Sequence, residues 1–338
     1  MLHLESVLAD GVRPRHGTFL SQPLRQRRRV SIGEAAIVAA IAVASVGFSV
    51  SSADAHAVCG GRIFPATLTM DDPGVGDELS LPTVQYAPIP AADGNPSGHS
   101  IDYGYEFDKT ITRDLGVAIE GDYFTQRGAG QNLSGWNNVT VTLKDEGPCS
   151  EEHEFMVSLG VSRELAKTGS ARLINAGAID SVSNTAPTFY VGKGLGDLPI
   201  GYLRPLAVTG ELSYQISDSP GLSPNQWAYA FSLQYSMPYM QQQVKALDIP
   251  AFFTRLIPLV EFAYSQPDHG PITGTIAPGF LYDGLTYQVG VEAIIPANGA
   301  TRQTQGTGVL VQFHLFLDDL FYKSIGKPLF NVNLWGEQ

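Results

Sequence analysis

The chain has 338 residues, 21 basic against 33 acidic side chains and a formal net charge of −12. That balance excludes nucleic acid as a partner, because a polyanion is held by lysine and arginine. Charged residues make up only 16% of the chain, whereas Gly (36), Phe (16) and Tyr (14) are plentiful, a composition that suits strands, tight turns and aromatic surfaces.

The first element is a targeting segment. Arg25, Arg27, Arg28 and Arg29 precede an apolar stretch from Ala35 to Val50, and Ala55-His56-Ala57 forms an A-x-A cleavage signature. Residues 1–57 are therefore predicted to be a signal peptide with an extended n-region, cut after Ala57. Its loss leaves 15 basic and 29 acidic residues, a net of −14. Residues 58–77 are expected to be a periplasmic N-terminal segment or a partial plug. An exported chain permits disulfides, so Cys59 and Cys149 form a disulfide candidate; two unpaired thiols are the alternative. With no C-x-x-C motif and no Cys/His cluster, neither a metal nor a cofactor is expected.

From Glu78 onward the pattern alternates with period two, the mark of a strand with unlike faces. Predicted strands follow at 78–87, 101–108, 115–123, 138–144, 155–162 and 188–195, the last Gly-rich and weaker. Six more follow at 206–216, 227–237, 256–264, 275–282, 285–293 and 309–318. The segment from Trp227 to Met237 is the clearest: Trp227, Tyr229, Phe231, Leu233, Tyr235 and Met237 share one parity, and Ala, Ser and Gln fill the other. Large apolar residues on one face and small polar ones on the other suit a wall between lipid and water. Pro258 and Pro278 interrupt neighbouring strands, since proline cannot donate to a ladder.

Connections give an independent test. Long segments rich in Gly, Pro, Asn and Ser, such as 88–100, 126–137 and 163–187, alternate with shorter turns, such as 109–114 and 283–284. Two expected turns are longer, 196–205 and 238–255, the latter with a small helix predicted over Gln241 to Leu247. Long external loops alternating with short periplasmic turns describe a transmembrane barrel. The fold class is therefore all-β: an antiparallel up-and-down transmembrane barrel over residues 78–318, of about twelve strands and an even number, with ten or fourteen left open. Residues 319–338 are expected to form a periplasmic tail. A soluble β-sandwich would also alternate, but would oppose its apolar face with charged surface residues.

On the chosen parity the lumen-lining candidates are Asp102, Glu106, Asp108, Glu120, Asp122, Lys144, Glu211, Glu261, Glu292 and His314. Carboxylates dominate, and a pore so lined favours cations over anions. The alternative is that these groups keep the interior wet and pair with loop arginines such as Arg127, Arg163 and Arg302. Catalysis would need a nucleophile beside a base. Gly-x-Ser-x-Gly is absent and His314 is the one histidine placed mid-strand, so no catalytic residue and no enzyme activity is expected; a serine beside His314 would reopen the question.

The stretch Thr69-Met70-Asp71-Asp72-Pro73-Gly74 and the ending Leu317-Asp318-Asp319-Leu320-Phe321 with Ile325-Gly326-Lys327-Pro328-Leu329-Phe330 resemble the Gram-negative outer-membrane barrels named after the meta-pathway of phenol degradation. The resemblance spans the mature chain. It implies a porin-like barrel that admits small solutes by passive diffusion, with hydrophobic or aromatic compounds among them, and it assigns no binding residue. Two alternatives stand beside it: a non-conducting structural or interaction barrel of the envelope, and a lipid hydrolase. The expected partners are outer-membrane lipid, a small-molecule solute and the barrel-assembly machinery during biogenesis.

Overall fold

The computed structural model describes residues 57–92 and 94–330. The expected signal peptide up to residue 56 and the last residues of the expected tail lie outside these, and Ala57, its expected last residue, opens the described chain.

The chain opens with a small hairpin, β1 (Ala57–Cys59) and β2 (Arg62–Phe64), followed by an irregular stretch, residues 65–77, which we call the strap. The wall strands come next: β3 (Glu78–Ile89), β4 (Gly98–Thr110) and β5 (Leu115–Gly128). A short β6 (Leu133–Trp136) precedes β7 (Val139–Ser150), β8 (Phe155–Leu165), β9 (Asn184–Gly194), β10 (Leu206–Ser217) and β11 (Gln226–Tyr235). The last four are β12 (Leu256–Pro267), β13 (Thr273–Asp283), β14 (Tyr287–Pro296) and β15 (Gly308–Phe316). Each wall strand pairs antiparallel with the next, and β15 pairs with β3, so the sheet closes into a twelve-stranded barrel. All twelve predicted strands are present. Closure removes the sheet edges that an open sheet must protect.

The burial pattern follows the side-chain alternation. Along β11, Ala228, Ala230, Ser232 and Gln234 are buried, while Trp227, Phe231 and Leu233 are exposed on the outside. Outer aromatics sit directly opposite each other: Phe231 pairs with Phe262 (ring centroids 4.6 Å apart) and Tyr229 with Tyr264 (5.6 Å). Such cross-strand aromatic pairs fix register. The inner face carries hydrogen-bonded polar groups, as buried polar atoms require: Thr209 Oγ1 lies 2.7 Å from Ser232 Oγ, and the Gln234 amide donates to both. An apolar outer wall around a polar interior inverts the polarity of a soluble barrel.

Several boundaries differ from the sequence expectations. Strand β9 starts at Asn184 and not Thr188, with Pro187 inside it. Strand β7 runs on to Ser150, so its turn into β8 is a single helical turn, Glu151–His153. Strand β11 stops at Tyr235, because Ser236 caps a helical turn at Met237–Tyr239. The helix expected over 241–247 lies earlier, at Met240–Val244. The wall ends at Phe316, two residues before Asp318, which sits in a helical turn, Leu317–Leu320. Pro258 does not interrupt its ladder, pairing with Phe280. Pro278 does: β13–β14 pairing lapses between Ile276↔Ile295 and Gly279↔Glu292. The tail folds back, with Phe330 N donating to Ile111 O at 2.8 Å.

Candidate functional site

The lumen is crossed by the strap. Its two ends are fixed at the turn end of the barrel. Cys59 is bonded to Cys149 near the end of β7. Arg62, fully buried, donates to Glu154 Oε2 (2.9 and 3.0 Å) and to the carbonyls of Pro205 and Arg204, and its guanidinium stacks 3.7 Å from the Tyr239 ring centre. Tyr239 Oη donates to the other Glu154 oxygen at 2.6 Å, so every member of this knot has a partner. Burial, reinforced by that bond to Glu154, pushes the Tyr239 hydroxyl up to about 12. At the other end, Asp77 Oδ1 accepts from Lys109 Nζ (2.6 Å), Thr110 N (2.7 Å) and Thr110 Oγ1 (2.8 Å).

Between these anchors the strap reaches across to β12–β14. Glu261 of β12, fully buried, accepts from Thr67 Oγ1, from Thr69 N (3.1 Å) and from Thr69 Oγ1 (2.6 Å). Gln288 of β14 donates to Ala66 O at 2.9 Å. Leu68 packs into an apolar cluster with Ile257, Leu259, Ala277, Leu281, Ile294 and Leu310. Gly290 makes room for it, since a Cβ there would meet the Leu68 side chain, and Gly192 likewise seats the Phe64 ring. Returning, the strap puts Asp71 Oδ2 2.6 Å from Lys144 Nζ on β7, which also donates to Asp72 O at 3.2 Å. Ser158 donates to Pro73 O, and Val75 N donates to Glu146 Oε2 at 2.9 Å.

These contacts sort the sequence-predicted lumen residues into two groups. Glu261 and Lys144 hold the strap. Glu292 is buried, and its carboxyl group meets that of Glu261 across the small inward residues of β13, Ala277 and Gly279. Glu211 takes a backbone hydrogen bond from Asp71. The remaining carboxylates, Asp102, Glu106, Asp108, Glu120 and Asp122, lie on β4 and β5, with Glu106 directly opposite Glu120. Asp102 and Asp122 are buried and the others half-buried. Of the arginines expected in loops, Arg163 lies instead within β8, and it pairs with Asp218 of the β10–β11 loop, holding that carboxyl below its usual range.

A serine does approach His314. Ser80, directly opposite it across the β3–β15 seam, places Oγ 2.8 Å from Nδ1, while Glu78 Oε2 lies 2.6 Å from Nε2. Sequence reasoning missed this trio because its members come from the first and last wall strands. All three are buried, and the Phe316 ring centre lies 5.0 Å from the imidazole. A nucleophile needs a substrate-sized space before it, and this one faces packed side chains.

The wall is also irregular around β5. Strand β5 pairs with β7 only from Leu115 to Glu120; beyond that, Tyr123 to Gln126 pair with β6 instead. A cavity of about 300 Å³ sits where the strands part, lined by Tyr105, Trp136 and Val139 and by the polar Asp122, Asn137 and Ser170. Asn137 Nδ2 donates to Asp122 Oδ1 at 3.1 Å across the gap. Trp136 meets Tyr105 and Tyr123 edge to face.

Among known proteins, no family model matches the chain and no curated protein matches it. Solved structures similar to it are outer-membrane porin-like barrels. An outer-membrane channel from Pseudomonas putida F1 aligns with 79% of this chain and 99% of its own at 11% identity, TM-score 0.48. The KdgM porin, solved with disordered oligogalacturonate, aligns with 70% and 98% at 13% identity, TM-score 0.43. LpxR from Salmonella typhimurium aligns with 71% and 99% at 7% identity, TM-score 0.38. At these levels none of them bears on what this chain binds or passes.

Proposed function

We propose that the protein is a channel of the Gram-negative outer membrane through which small solutes diffuse passively. One observation carries this reading: a closed barrel whose outside is apolar and whose inside is polar and acidic. Strands with this polarity are stable where lipid meets the outer face and water the inner one. The ends bearing residues 111–114, 151–154 and 284–286 then face the periplasm, and the longer loops face outward after removal of a signal peptide. Carboxylates on β4 and β5 favour cations and neutral polar solutes over anions. Hydrophobic or aromatic compounds have a second route, the aromatic-lined cavity between β5 and β7, which Asp122 also lines. Solute-driven swelling of proteoliposomes tests the reading: small neutral and cationic solutes enter faster than in protein-free vesicles. Equal rates with correctly folded protein contradict it and favour a non-conducting envelope barrel.

The Ser80–His314–Glu78 contacts set a nucleophile beside a base, and hydrolysis as a second reading requires the packed side chains before Ser80 to open to a substrate. Labelling by a fluorophosphonate that is lost in Ser80→Ala supports it, and no labelling of the folded barrel removes it.

A further inference from the structure

The strap is held on both sides of the lumen, and on the β7–β8 side Lys144, Glu146 and Ser158 bind it. It is drawn to β12–β14 by Glu261, Gln288 and the Leu68 cluster. Opposite, between strap residues Val75 and Gly76 and the wall residues Asp108, Thr142 and Lys144, it leaves a cavity of about 10 Å³. That is about the volume one water needs. The half-buried Glu106 and Glu120 continue the same wall towards the loop end. A small ion passing the strap on this side therefore passes Lys144.

An ammonium at a one-water constriction repels cations, and the strap itself cancels it. Asp71 Oδ2 lies 2.6 Å from Lys144 Nζ, the Asp72 carbonyl accepts from the same nitrogen at 3.2 Å, and the Tyr190 ring centre lies 5.2 Å away. We propose that the Asp71–Lys144 pair sets the ion selectivity of the constriction, so that the strap is an electrostatic part of the conduit as well as an obstruction. With the pair intact, Asp108 and the carboxylates above it dominate and cations are preferred. Removing Asp71 exposes the ammonium and lowers that preference; removing Lys144 leaves Asp71 unopposed and raises it. This inference rests on the channel reading.

Reversal potentials across planar bilayers holding the mature chain, under a KCl gradient, test it. D71N is expected to lower the cation-to-anion permeability ratio by a factor of about 25, because a unit charge about 4 Å away in bulk water changes cation and anion entry about fivefold each, in opposite directions. K144M is expected to raise the ratio, and the double variant D71N/K144M to return it towards wild type. Opposite shifts with restoration in the double variant support the proposal, and K144M alone keeps it testable should D71N fail to fold. A rise in conductance without any shift in reversal potential assigns Asp71 to holding the strap and overturns the proposal. A folded wild-type barrel that inserts and never conducts overturns the channel reading itself.

Discussion

Leu68→Ala separates the strap from the barrel energetically. Leu68 is 7% exposed and is the strap's contribution to a cluster otherwise made by β12, β13, β14 and β15. Truncating a buried leucine costs about 2 to 5 kcal/mol, more where neighbours cannot collapse into the space. Beneath it lies Gly290, which has no side chain to fill the void. The wall strands keep their ladders, so the loss falls on the docked strap and not on the barrel. At about 1.4 kcal/mol per tenfold, the undocked population rises from about thirtyfold to a few thousandfold. Hydrogen exchange in micelles reads this at the Thr69 amide, which donates to Glu261. Faster exchange at Thr69 with unchanged exchange in β11 and β12 is expected. Unchanged exchange at Thr69 with faster exchange throughout the wall refutes the reasoning, since strap and barrel would then open as one unit.

Three other outcomes follow from the anchors. Reducing the Cys59–Cys149 bond, which joins positions 90 residues apart, should lower stability by about 2 to 4 kcal/mol, read as a lower urea midpoint in micelles. An unchanged midpoint argues that the Arg62 knot alone holds the hairpin. Arg62→Met leaves Glu154 buried without its cation and should cost about 3 to 5 kcal/mol in the same assay; a cost below about 1 kcal/mol refutes that role. Burial, with the charge of Asp319 adding to it, pushes the Asp318 carboxyl up to about 7. The docked tail thus favours the neutral acid, and this contribution is present at low pH and lost as pH rises through about 7. Protection of the Leu329 and Phe330 amides, which donate to Thr110 O and Ile111 O, taken relative to the base-catalysed intrinsic exchange rate, should therefore fall from about pH 4 to about pH 7 and level off above, and Asp318→Asn should flatten the profile. A profile identical in the variant rejects the assignment.

The barrel was legible because its physics is local. Each wall strand must show lipid one face and water the other, and that requirement writes a period of two into segments such as Trp227 to Tyr235. Strand ends were less legible, because residues such as Pro187 and Ser150 extend ladders that no alternation marks. The strap was visible only as a shared compartment for Cys59 and Cys149. Its docking on Glu261 joins residues 192 and 194 apart in sequence, with no periodic signal. Glycines within wall strands, Gly192 and Gly290, were the available hint, since each marks a place where another chain segment comes close. The β6 detour was hidden within a Gly-rich loop, and the Ser80–His314 contact depends on barrel closure, which strand patterns do not display.

The central claim is that this barrel conducts and that its strap limits the flow. Single-channel recording of wild type beside Glu261→Ala, which removes the acceptor for three strap hydrogen bonds, tests both parts at once. The account predicts a small cation-selective conductance for wild type and larger or more frequent openings for the variant. Insertion of both proteins in folded form, with no conductance from either, would contradict it.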